Sequence, residues 1–191
     1  MQERCGWAVK NELMKEYHDR EWGVPVFDDR KLFEFLILEG FQAGLSWQIV
    51  LNKREAFRKA YDGFDAEKIA SYQDDKIEAL IQDATIIRNR QKIAASVVNA
   101  QKFLEVRNEF GSFAEYIWSF TGGKSIVNFY KELSELPART PVSDKISADL
   151  ISRGFKFVGS TIIYAHMQAT GMVNDHLVTC FRHNEILELH L

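Results

Sequence analysis

The stretch Arg153-Gly154-Phe155-Lys156-Phe157-Val158-Gly159-Ser160-Thr161 decides how this chain is read. Before it, Ser143 stands as N-cap to a run with Ile146, Leu150 and Ile151 at helical steps. Gly154 closes that helix, as glycine does just past a helix end. After it, Ile162 to about Thr170 reads as a second helix. The segment from about 145 to 171 is therefore helix, tight turn, helix. Gly159 lets a ligand come close to the backbone where the second helix opens, and the unpaired N–H groups there favour an anion. Ser160 and Thr161 add hydroxyl donors, and Lys156 and Arg153 add positive charge. An ordinary turn between two helices carries glycine too.

Outward from the hairpin, helical periodicity continues. Asp29 to Glu39 is apolar at 32, 33 and 35 to 38, which predicts a helix buried over most of its girth and capped by Asp28 or Asp29. Gly40 and Gly44 interrupt it. Ser46 then caps a helix from Trp47 to about Tyr61, whose lysines and arginines read as solvated. Asp65 caps a further helix, with Ile77, Leu80 and Ile81 recurring at helical steps. A long helix covers roughly Ile87 to Asn108, with Ile93, Val97, Ala100 and Leu104 on one stripe. Residues 121–141 read as a connection of little regular structure. No long stretch alternates with period 2, so the expected class is all-α.

The chain has 191 residues, enough for a single domain of two helical lobes that buries a core without disulfides. The apolar fraction of 46% and charged fraction of 27% are those of a water-soluble protein. No run approaches a membrane span. Two cysteines and no signal-peptide pattern lead to the expectation of a cytoplasmic protein. A net charge of −3 excludes a coat of positive charge, but not a local basic face.

Cys5 and His18 lie near one end, His176 and Cys180 near the other, and they include every cysteine present. Their gaps suit a tetrahedral zinc site of thiolate and imidazole ligands, with the second pair on one helix face at i, i+4. Four protein ligands leave no open position, so such a metal would be structural. Free buried thiols, or one disulfide between the ends, fit the same residues.

Trp7, Tyr17, Trp22 and Trp47 fall in the N-terminal quarter together with Glu39. Tryptophan is usually core. Glu39 differs, because five of the six residues before it are apolar and partial burial follows. A buried carboxylate needs a partner or a ligand to stay charged. Aromatic faces beside an acid suit a flat, electron-poor or cationic group such as a flipped purine.

Cys5-Gly-Trp7, Tyr17-His18-Asp19 with Glu21-Trp22-Gly23, Leu38-Glu39-Gly40, Gln42-Ala43-Gly44-Leu45-Ser46-Trp47, Gly154 to Gly159, and Val173-Asn174-Asp175-His176 resemble the 3-methyladenine DNA glycosylase I family. The match runs in order from the first residues to about Cys180. The resemblance implies a helix-hairpin-helix glycosylase fold whose hairpin holds the DNA backbone without reading sequence. It implies that Cys5, His18, His176 and Cys180 bind one structural zinc ion, joining the N- and C-terminal segments. It implies hydrolytic excision of 3-methyladenine from alkylated double-stranded DNA, leaving an abasic site and free base. Glu39 would hydrogen-bond the base and Trp47 stack on it. Tyr17, Trp22 and Trp7 would line the pocket. Gly159, Ser160, Thr161 and Lys156 would meet DNA, and Leu45 would enter the duplex gap.

Departures from the family pattern matter as well. Asn174 stands where related glycosylases carry a catalytic Asp, and Asp175 is one place over. The position of a lyase lysine holds Thr161 or its neighbour, so strand cleavage is not expected. Met14, Phe41 and His166 replace the family's usual residues. His183 and His190 read as solvated. The expected assembly is a monomer. A non-catalytic zinc-stabilised DNA-binding module is a second reading. A metal hydrolase at the Cys/His set is a third, and the count of four ligands speaks against it.

Overall fold

The computed structural model describes residues 3–189. Ten α-helices carry the described chain: α1 Glu12–Arg20, α2 Asp29–Gln42, α3 Trp47–Ala60, α4 Ala66–Ala70, α5 Asp74–Gln82, α6 Arg90–Phe110, α7 Phe113–Ser119, α8 Pro141–Ser152, α9 Ser160–Ala169 and α10 Phe181–Glu188. Short 3-10 turns cover Gly6–Lys10, Asp62–Phe64 and Leu133–Glu135. The chain is mostly helical, as its periodicity requires. One addition is a short parallel pair, β1 Ile126–Val127 against β2 Val173–Asn174. A two-residue strand is too brief to leave a period-2 signal.

Helix α2 is the axis of the molecule. Every residue from Leu32 to Phe41 is buried, and the helix packs on α3, α6, α7 and α9. Asp28 caps it by accepting from the Lys31 amide. Asp29 serves a different helix: its carboxylate accepts from the amides of Phe113 and Ala114 and caps α7 from across the fold. At the other end, the Lys92 ammonium donates to the carbonyls of Phe41 and Ala43, at 2.9 and 2.6 Å. It satisfies backbone acceptors that a helix end leaves unpaired, with a charge that suits the helix dipole.

Several elements differ from the sequence reading. The helix before the hairpin starts at Pro141, with Thr140 as N-cap and Ser143 three residues inside in a reciprocal capping box. Ile151 lies on its outer face, 57% exposed. Residues 64–82 form two helices, α4 and α5. The long helix opens at Arg90 behind Asn89, whose side chain caps it. In α3, Arg54 is buried, because it donates to Glu34 and Glu21 and lies over the Phe35 ring. Helices α1, α7 and α10 are short, at nine, seven and eight residues, and helices of that length depend on tertiary partners.

The hairpin itself is α8, a turn and α9. Gly154 takes φ +97° where α8 ends, a conformation glycine adopts freely. Phe157 adopts φ +54°, which costs a non-glycine residue energy. Asn99 on α6 offsets that cost: its side chain accepts from the Lys156 amide at 2.7 Å and donates to the Lys156 carbonyl at 2.9 Å. Ser147 donates to the Val158 carbonyl, and the hydroxyls of Ser143 and Ser160 meet at 2.8 Å.

Gly171 follows α9 where the chain passes under residues 24 and 25. A Cβ there would stand 2.4 Å from the backbone of Val24 and Pro25, and φ is +71°. Gly171→Ala is therefore expected to lose about 3 kcal/mol or more of stability, since backbone cannot step aside as a flexible side chain does. Thermal melting checks this, and a shift of only a degree or two would contradict it.

Candidate active site and metal cluster

Helices α1, α2, α3 and α9 surround a cleft of about 350 Å³. Its walls are Trp7, Met14, Tyr17, Trp22 and Trp47, with Glu39 among them. Met14, Tyr17, Trp22 and Glu39 are buried, whereas Lys10 and Ser46 are exposed at the rim. Trp47 packs on Tyr17 at 5.3 Å between ring centroids, and Trp7 meets Trp22 edge-on at 5.0 Å. Tyr17 keeps its proton, because burial and then the nearby Glu39 raise its pKa well above the usual phenol value. A second space of about 170 Å³ shares Glu39, Gln42 and Ala165 with the cleft and reaches Gly44, Leu45 and Thr161. The hairpin and the Gly44–Leu45 turn thus open toward the same acid.

Glu39 sits in the last turn of α2, where the helix has run through the core. It is 3% exposed, and its Oε2 has no hydrogen-bond partner. Burial pushes its pKa up to about 8, so the carboxyl is mostly protonated near neutral pH. An unpaired buried acid is costly, and a ligand that pairs with it recovers that cost. The Trp47 indole N–H is likewise buried without an acceptor. Both unpaired groups belong to residues of the cleft wall.

Of the hairpin residues, Gly159 is the N-cap of α9 and would have open space beside a Cβ. Lys156, Gly159 and Thr161 are exposed, and Ser160 is half-buried against Ser143. Arg153 is engaged elsewhere: it pairs with Glu109 and Asp149 and lies over the Phe110 and Tyr116 rings.

Cys5, His18, His176 and Cys180 come together, all buried, with their ligand atoms within 4.8 Å of one another. His176 and Cys180 do so from a turn before α10, with Cys180 at its N-cap, and not from one helix face. The Cys180 Sγ lies 3.4 Å from His18 Nε2 and 3.6 Å from His176 Nδ1, and the Cys5 Sγ lies 3.7 Å from His176 Nδ1. Metal bonds of about 2.3 Å to sulfur and about 2.0 Å to nitrogen, at tetrahedral angles, require sulfur–nitrogen edges of roughly 3.5 Å. The outer ring nitrogens are held too. His18 Nδ1 pairs with Asp19, which Arg4 anchors, and His176 Nε2 pairs with the Trp22 carbonyl. Those outer bonds turn a lone pair of each imidazole inward, as metal-binding histidines require. The four residues could hold a metal ion, and the donor set fits zinc.

Asn174 is outside the cleft wall. Its amide donates to the His183 carbonyl and accepts from the His176 amide, so it shapes the ligand loop. Asp175 accepts from Asn128, Tyr164 and Gln168. His183 is buried and pairs with the Asn128 carbonyl, which corrects its reading as solvated. His190 lies outside the described residues. His166 is fully buried, and Phe41 is core. Lys10, Gln42 and Gln168 also line the pocket, and as isolated polar residues they carry no periodic signal in the sequence.

A helical frame around an aromatic cleft with one buried, unpaired acid has the shape and chemistry to take a flat base. The family model described as methyladenine glycosylase matches residues 7–183. The DNA-3-methyladenine glycosylase 1 of Escherichia coli K12 is 49% identical over 178 residues, covering 93% of this chain and 95% of that protein. A crystal structure of 3-methyladenine DNA glycosylase I superposes with a TM-score of 0.91 at 47% identity, covering 94% of this chain and 98% of that one. A variant of 3-methyladenine DNA glycosylase I, solved in complex with 3-methyladenine, superposes at 0.90 with 33% identity, covering 93% and 96%. The chain belongs to the methyladenine glycosylase family and is an enzyme of the DNA glycosylase class.

Proposed function

We propose that this enzyme excises 3-methyladenine from alkylated duplex DNA by hydrolysis, without strand cleavage. The observation that carries the reading is the unpaired, buried carboxyl of Glu39 in an aromatic cleft. Methylation at N3 makes the adenine nucleotide cationic. When the bond between N9 and the sugar breaks, its electron pair passes to the base, which leaves neutral. Water captures the sugar cation and gives up a proton. The substrate thus supplies most of its own activation, and a dedicated catalytic acid is not required.

The protein's part is to flip the nucleotide, stack the base between the rings of Trp47, Tyr17, Trp22 and Trp7, and read it with Glu39. A cation beside Glu39 draws the carboxyl into its charged form, which then accepts from the base amino group. Neutral adenine offers no charge to repay ionisation of a buried acid. Selectivity against normal DNA follows from the same burial.

Gly159, Ser160, Thr161 and Lys156 are assigned to the DNA backbone, which makes α8–α9 a helix-hairpin-helix, and Leu45 to the gap left by the flipped base. Cys5, His18, His176 and Cys180 are assigned to one structural zinc ion joining the ends of a single two-lobed domain. The enzyme is taken to act as a monomer in the cytoplasm; no helix among the described residues is long and apolar enough to cross a membrane.

Base release from methylated duplex tests the reading. Release of 3-methyladenine with intact strands is expected, and binding without release would leave only a DNA-binding module. Titration with free 3-methyladenine should quench tryptophan fluorescence saturably in the wild type and not in Glu39→Ala.

A further inference from the structure

Lys10 ends the 3-10 turn Gly6–Lys10 and is the one cation among the residues lining the cleft. It is exposed, while Glu39 lies buried in the same wall. Among the described residues it forms no ion pair and no side-chain hydrogen bond, whereas Lys15, Lys31 and Lys92 are all engaged. The turn that carries it packs on α1, and its Trp7 stacks edge-on with His18 of the buried Cys/His cluster. Its backbone is therefore anchored while its ammonium stays unpaired. Ala165 of α9, the hairpin's second helix, lines the same cleft, and Thr161 lines the adjoining space.

A flipped 3-methyladenine nucleotide carries positive charge on its base and negative charge on the phosphates beside its sugar. The cleft has the complementary order, an acid below and a cation at the rim. We propose that Lys10 is a second backbone-binding point, separate from the hairpin, which holds a phosphate flanking the flipped nucleotide. This rests on the reading of the cleft as the base pocket. Lys10 would act only on the nucleotide. Free base carries no phosphate, and a lysine near the cationic ring itself would repel it.

The test compares wild type with Lys10→Ala, Lys10→Arg and Lys10→Glu on two probes: duplex DNA with a single stable abasic-site analogue, and free 3-methyladenine. At low salt, Lys10→Ala is expected to weaken duplex binding about five- to tenfold, and Lys10→Glu further. The slope of log affinity against log salt should shrink by about 0.9, as for one lost phosphate contact. Lys10→Arg should restore most of the binding. Tryptophan quenching by free 3-methyladenine should be unchanged, and base release should show raised KM with kcat within about twofold. An unchanged salt slope in Lys10→Ala, or equal weakening toward free base, overturns the proposal. If wild-type protein itself releases no 3-methyladenine, the reading of the pocket has failed, and the duplex titration still reports on Lys10 separately.

Discussion

Glu39→Gln is expected to make the protein more stable above neutral pH and a poorer glycosylase. The folded pKa of about 8 lies above the ordinary carboxyl value of 4.5. A group raised in this way favours the fold fully below about pH 4.5, and that contribution is lost as pH rises toward 8. At about 1.4 kcal/mol per tenfold step in proton affinity, the wild type forfeits a few kcal/mol by pH 8. Glutamine has no charge to bury. Its melting temperature should match the wild type near pH 5 and exceed it by on the order of 5 °C at pH 8.

Activity should move the other way. On the proposed reading the cationic base pairs with ionised Glu39, so wild-type kcat/KM should rise with pH, up to tenfold per unit, and level off near 8. Glu39→Gln should lower kcat/KM by about ten- to a hundredfold and flatten that profile, because one charge-assisted contact has gone. Melting curves and base-release rates between pH 5 and 9 decide it. A wild-type profile that is already flat, or a variant that loses stability and activity together, would end this account of Glu39.

Removing the proposed zinc ion is expected to have the other large effect. A chelator strong enough to strip zinc should release one ion per chain and lower the melting temperature by about 10 °C or more, reversibly on adding zinc. Binding energy at a structural site is folding energy. An ion held by the four residues would join Cys5 and His18 to His176 and Cys180, more than 150 residues away, and without it two thiols and two imidazoles are left packed together in the interior. Base binding should fall with the metal, since Trp22 packs edge-on against His176 at 4.6 Å and Trp7 against His18 at 5.3 Å. The ion would thus brace two walls of the cleft without touching substrate. Cys180→Ala should reproduce the chelated state. Elemental analysis with calorimetry tests this, and a metal-free protein that melts at the same temperature would remove zinc from the structure.

Most helices were legible because apolar residues recur at helical steps over long spans, as in α2, α3 and α6. Helix ends were less so. Thr140 rather than Ser143 opens α8, because Pro141 is at home in a first helical turn and the Thr140 amide donates back to the Ser143 hydroxyl. Arg54 read as solvated because a charged residue usually is; only the fold places Glu34 and Glu21 around it. Asn99 gave no signal, although it holds the hairpin turn from another helix.

The sequence by itself determined the helical class, the hairpin and the residue types able to hold a metal and a base, since periodicity, turn chemistry and donor type are local properties. The tertiary structure alone decided that the four ligands meet, that Glu39 is left without a partner and that Lys10 stands at the rim of the same cleft. Those facts are distances and solvent exclusions between residues far apart in the chain, and packing sets them.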